Sequence, residues 1–321
     1  MLDAKRVRPH RCSTWSCVKR DVATYGWFEL LEEVVHPFSG WYLSHFYLGS
    51  EHKNFLGGDA FDFLKRKRRL KELPNCVEVF EMARIFVESI RLDDFVKVCL
   101  PNLKVHIILI TGRWHIPAVS ETASARTLLA SPFIHRWFLQ NPFTQHEKIV
   151  QLPYGVMHSN LPSFAKFVAD VDLTGERQFL LLNLHLGKTN PQRAKINSTD
   201  KVRLLVPEYY ARLSQAEFIV SPAGDRPDCH RHLEAIGLGA KPICNCPESF
   251  KALYGDTMLF ADINDMNKYI QDPNLLKNTH LFSHNITTMD QNVLSIGYWD
   301  QRIQQEIEHF FVLQGDSSRG D

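Results

Sequence analysis

The chain has 321 residues, of which 37 are Lys or Arg and 36 Asp or Glu, for a formal charge of +1. That balance excludes a surface built throughout for phosphate backbones, so no nucleic-acid partner is expected. With 44% hydrophobic side chains, the length suits two globular domains with no need of disulfide or metal staples.

The first residues, Met1 to Arg11, are basic but lead into Cys-Ser-Thr-Trp-Ser rather than an apolar core, and no apolar run is long enough for a membrane span. Trp15, Tyr25, Trp27, Phe28, Trp41, Tyr42, Phe46 and Tyr47 follow. Such aromatics are core first and acceptor-cleft lining second. The run Lys65 to Lys71 is the one dense patch of charge, and an isolated run in a near-neutral chain is a solvated face before it is a polyanion site.

Short apolar runs then alternate with helical patterns. Strands are predicted at Arg84 to Glu88, Val105 to Ile110, Ile149 to Leu152, Phe179 to Leu184, Phe218 to Val220, Pro242 to Cys244 and Met258 to Phe260. Their continuous Ile, Leu, Val and Phe content is that of buried parallel strands. Helices are predicted at Leu92 to Leu100, Ala123 to Ala130, Ser163 to Asp170, Tyr209 to Ser214, Cys229 to Leu238 and Asp300 to Leu313. The rhythm predicts a doubly wound α/β architecture. The polar stretch Asp172 to Arg177 is the expected boundary between residues 1–172 and 173–321.

The stretch from Phe218 to Ile243 carries the chemistry. A strand ends at Val220, a loop holds Ser221, Pro222 and Gly224, and a helix starts near Asp228. Such a helix start offers free N–H groups and partial positive charge to a diphosphate. Arg231 adds a forked cation one turn in, and Glu234 is placed to accept ribose hydroxyls. Gly237 and Gly239 end the helix. The seven cysteines are odd in number and scattered, which suits a reducing compartment. Cys229, His230, His232, Cys244 and Cys246 lie close in sequence, but Cys229, His230 and His232 would splay around one helix turn, no paired Cys-x2-Cys or His-x3-His is present, and no metal is expected.

Ser221-Pro-Ala-Gly, Asp228-Cys-His-Arg, Glu234-Ala and Gly239-Ala-Lys-Pro-Ile resemble the donor region of exostosin-like glycosyltransferases, in particular the small viral, algal and protist members. The segments from Phe86 to Phe95, Ile108 to Gly112, Trp137 to Asn141, Leu152 to His158 and Thr189 to Arg193 agree with that family's blocks in order. The resemblance implies a GT-B fold: an amino-terminal Rossmann-like acceptor domain and a carboxy-terminal one that holds a nucleotide-sugar donor, a UDP-sugar before others. It implies transfer with inversion to a saccharide or glycoprotein hydroxyl, without metal or cofactor. Donor residues would be Arg193, Ser221, Gly224, Asp228, His230, Arg231 and Glu234, with Arg231 also stabilising the departing diphosphate. Where the family commonly has acids after Ile-Thr-Gly, this chain has Arg113-Trp-His-Ile-Pro. His115 is therefore the candidate base, with Glu121 and His158 as rivals. The same departure leaves a catalytically silent nucleotide- or glycan-binding module as the alternative. A nicotinamide-dependent dehydrogenase is disfavoured for want of G-x-G-x-x-G after a strand. The cytoplasm is the expected location, or the Golgi or another secretory lumen if an anchor lies outside this chain.

Overall fold

The computed structural model describes residues 79, 81–112, 120–156, 160–184, 190–197, 204–287, 289–294 and 296–317. The amino-terminal aromatics, the basic run at 65–71, His115 and His158 lie outside them.

The described chain runs β1 (Ala83–Glu88), α1 (Leu92–Val98), β2 (Ile107–Gly112), α2 (Ala123–Ala130), β3 (Ile134–Gln140), β4 (Ile149–Leu152) and α3 (Leu161–Asp170). It continues through β5 (Phe179–Leu182), α4 (Val206–Leu213), β6 (Ala216–Val220), α5 (His230–Gly237), β7 (Lys241–Cys244), α6 (Lys251–Tyr254), β8 (Leu259–Phe260), α7 (Ile263–Gln271) and α8 (Ile296–Ser317). The strands form two separate four-stranded sheets, β1-β2-β3-β4 and β5-β6-β7-β8. Every pairing is parallel, and helices flank both sheets, an arrangement consistent with doubly wound α/β.

Side chains alternate across an extended strand, so each sheet must be covered twice. In β2, Ile107 and Leu109 pack with Leu92 and Phe95 of α1 and Ala125 and Leu128 of α2. Ile108 and Ile110 face the opposite layer, where Trp299, Ile303 and Phe310 of α8 close over them. Thus the helix farthest along the chain covers the first sheet. Arg136 of β3 donates to Glu306 of α8 at 2.9 Å, and Arg84 of β1 donates to Gln304 at 3.0 Å. In the second sheet, Ile219 and Cys244 pack with Phe164 of α3, Tyr210 of α4 and Leu233 and Ile236 of α5. Phe218, Val220 and Ile243 turn to the other face, against Met266 of α7 and the 3-10 residues Leu276 and Leu281.

Local chemistry sets the element ends. Thr122 accepts the Ala125 N–H to start α2, and Asp262 accepts the Asp265 N–H to start α7. After α5 the chain reverses at Gly239, whose φ of +79° suits glycine and ends the helix. The polar stretch before β5 is braced. Asp172 accepts from the amide and hydroxyl of Thr174, and Arg177 donates to the Ser214 carbonyl at the end of α4. Beside the expected strands the structure adds β3, and beside the expected helices it adds α6 and α7. No helix among the described residues is long and apolar enough to cross a membrane.

Candidate functional site

The loop from Ser221 to Cys229 leaves the carboxyl end of β6 and feeds α5. Beyond the strand, the Ser221 amide still bonds to the Ile243 carbonyl at 2.9 Å, extending the ladder by one rung. The loop's carbonyls are held from outside. Arg193, in the 3-10 turn Pro191–Lys195, donates from Nε to Ala223 at 3.0 Å and from Nη2 to Pro222 at 2.9 Å. Asn190 donates to Gly224 at 2.6 Å, and the Ala223 amide donates to Asn245 at 2.8 Å. Gly224 lets the guanidinium in: a Cβ there would stand 3.1 Å from Arg193 Nη2. Buried backbone oxygens need such partners.

Asp228, fully buried, is the centre of a network that joins the two halves of the chain. Its Oδ2 accepts the Tyr154 amide after β4 at 2.7 Å and the Tyr254 hydroxyl of α6 at 2.7 Å. Its Oδ1 lies 2.9 Å from His232 Nδ1, and its own amide donates to Asn141 Oδ1 at 2.8 Å. The second ring nitrogen of His232 faces the Ser221 carbonyl at 2.9 Å. Each ring nitrogen thus faces an acceptor, and the Cys229 amide also points at Nδ1 from 3.3 Å. Burial would lower the pKa of His232, but Cys229 and Asp228 outweigh it and raise it to about 10. At Cys229 burial would push the thiol up, and His232, Arg231 and Arg193 bring it down to about 7.

The other predicted donor residues lie on the same loop and helix. His230 Nδ1 sits 2.5 Å from the Gly155 carbonyl, its ring against Tyr154 at 4.5 Å between centroids. Glu234 is buried and accepts the Tyr210 hydroxyl at 2.8 Å, so this carboxylate faces α4. Arg231 has a buried Nη1 with no hydrogen-bond partner. Burial opposes its charge, but Tyr209, Cys229 and Glu234 more than compensate and its pKa is raised. Arg193 is shifted the other way, by burial first and by the positive charge of Arg231 second. Two guanidinium groups therefore sense each other beneath the start of α5. Of the rival bases, Glu121 is exposed and pairs loosely with Arg126 at 3.5 Å.

One expectation is overturned. Metal-independence gives way to a candidate metal-binding cluster: ligand atoms of His232, Cys244 and Cys246, all buried, lie within 4.8 Å of one another, with Cys229 and His230 not among its ligands. The convergence comes from two elements. Cys244 is the last residue of β7 and Cys246 follows two residues on, both in the core layer against which α5 packs, and α5 carries His232. The Cys-x-Cys spacing was the readable signal. Here the two sulfurs are joined as a disulfide. Tyr154, Asn141, Tyr209, Tyr210 and Tyr254 were not foreseen as partners of the site, because their contacts come from distant parts of the chain.

No family model matches the chain, and no curated protein matches it significantly.

Proposed function

We propose that the chain is a glycosyltransferase of the exostosin-like type with a GT-B arrangement. It would move a sugar from a nucleoside-diphosphate donor, a UDP-sugar before others, to a saccharide hydroxyl with inversion. The observation that carries this reading is the unpartnered, buried Nη1 of Arg231 beside a second buried arginine, Arg193. A buried donor without a partner costs roughly 1–3 kcal/mol, and two like charges held close add repulsion. A diphosphate would answer both.

In the proposed reaction the α5 amino terminus and Arg231 take up charge as the nucleoside diphosphate leaves, while Arg193 holds the loop in shape. His115 is the proposed base for the acceptor hydroxyl.

Calorimetric titration with UDP and GDP tests the donor site. Arg231→Met should weaken binding of the preferred nucleotide by about tenfold or more, the effect of losing one charged hydrogen bond. Unchanged binding in that variant, or no binding of either nucleotide to the parent, would defeat the assignment. If donor binds but no acceptor elicits free nucleotide, the silent binding module is the better description.

A further inference from the structure

We infer that Cys244, Cys246 and His232 form a redox-gated site for a thiophilic dication of the zinc class, separate from the donor reading above. The same two sulfurs either bond to each other, as here, or bind the metal.

The surroundings fit a metal centre in three respects. The ligands are of the right kind: two thiols and an imidazole are a common zinc set and equally suit cobalt and cadmium as probes. They are shielded, with His232 and Cys244 at 0% exposure and Cys246 at 8%. The imidazole is oriented from behind by a carboxylate, since Asp228 Oδ1 stands 2.9 Å from Nδ1 and is itself fixed by Tyr154 and Tyr254. A carboxylate on the far nitrogen is the usual support of a metal-bound histidine. Keeping the proton on Nδ1 leaves Nε2 as the ligand atom, which exchanges the Ser221 carbonyl for the ion. An oxygen ligand is also at hand, because the Pro227 carbonyl lies 3.0 Å from Cys246 Sγ.

The exchange balances with a thiol or phosphine reductant. Two electrons and two protons convert the disulfide into two thiols. A thiol reductant leaves as its own disulfide, and a phosphine leaves as the oxide with oxygen from water. Binding of the dication then expels the two thiol protons, together with the Nε2 proton of His232. Oxidation by a disulfide reverses the sequence and releases the metal. Because Ser221 and Pro227 belong to the loop ahead of α5, occupancy would alter the carbonyl contacts that hold this loop.

The test uses the full chain, reduced with a phosphine and titrated anaerobically with Co2+, then with Zn2+ as competitor. The expected result is thiolate-to-cobalt charge-transfer absorption that zinc abolishes, and its absence from protein kept oxidised. Cys246→Ser changes one atom at the least buried ligand and should weaken Co2+ at least about 100-fold, beyond the 10–100-fold typical of losing a supporting residue. Circular dichroism of each variant checks that it is folded, and His232→Gln provides a second test that leaves both thiols in place. The inference is overturned if the reduced parent gives no such absorption, if the oxidised parent binds equally well, or if folded Cys246→Ser and His232→Gln both bind as the parent does.

Discussion

Replacing Asp228 by alanine should cost the fold about 4 kcal/mol, within the roughly 3–5 kcal/mol typical of removing one partner from a buried charged pair. The substitution leaves the Tyr154 amide, the Tyr254 hydroxyl and His232 Nδ1 facing a cavity, all within one fully buried site. These losses share a partner and do not add. At about 2–4 °C per kcal/mol for a chain of this order, the midpoint of thermal unfolding should fall by about 8–16 °C. Asp228→Asn should be milder, about 1–2 kcal/mol. Its carbonyl can still accept from Tyr154 and Tyr254, and its amide can donate to Nδ1 once His232 is neutral with its proton toward Ser221. Tyr254→Phe, about 1.5 kcal/mol alone, should cost almost nothing more in the Asp228→Ala background. Thermal and urea unfolding followed by circular dichroism complete the double-mutant cycle. A loss below about 1 kcal/mol for Asp228→Ala, or an Asn variant as damaged as the Ala variant, would refute the network as the tie between the halves.

Two further predictions concern stability. Gly239→Ala should cost about 2 kcal/mol or more in urea unfolding, because the φ of +79° disfavours any side chain and a Cβ would collide with the Arg177 guanidinium. An unchanged midpoint would contradict the turn assigned to it. The docking of α8 should weaken in acid. His135 sits edge-on to Phe310, and its pKa is lowered from 6.5 by burial first and by the charge of Arg136 second, with His106 and His309 adding to the effect and Glu306 opposing it. A lowered histidine pKa means that the unfolded chain binds more protons, so stability is full above about pH 6.5 and declines as pH falls toward the folded value. His135→Gln should flatten that decline below about pH 6.5, and a parent whose urea midpoint stays level as pH falls through that value would argue against it.

The parallel strands were legible because burial on both faces demands continuous apolar runs, as in Ile107–Gly112. β3 escaped for a physical reason. His135 and Arg136 interrupt its apolar pattern, and the groups that accommodate them, Phe310 and Glu306, lie on α8, far along the chain. α7 was missed although its cap was readable in Asp262 and Asp265. The loop and helix of the site were visible as residue types in order. What could not be read was their partners: Glu234 meets a tyrosine of α4, and Asp228 reaches an amide beyond β4. The metal-ligand cluster was hidden differently: Cys-x-Cys is not one of the paired spacings that mark a zinc site in a sequence, and His232 joins the two cysteines from a separate element, α5.

The placement of α8 has a consequence for how the protein is made. Ile108, Ile110, Phe138 and Leu152 present an apolar sheet face whose cover, Trp299, Ile303 and Phe310, is translated last among the described elements. While the second sheet is being synthesised, that face is without the apolar cover that α8 later supplies. Ribosomes that stop short of residue 296 would release a polypeptide in which the β1-β2-β3-β4 sheet lacks the cover that α8 gives to this face.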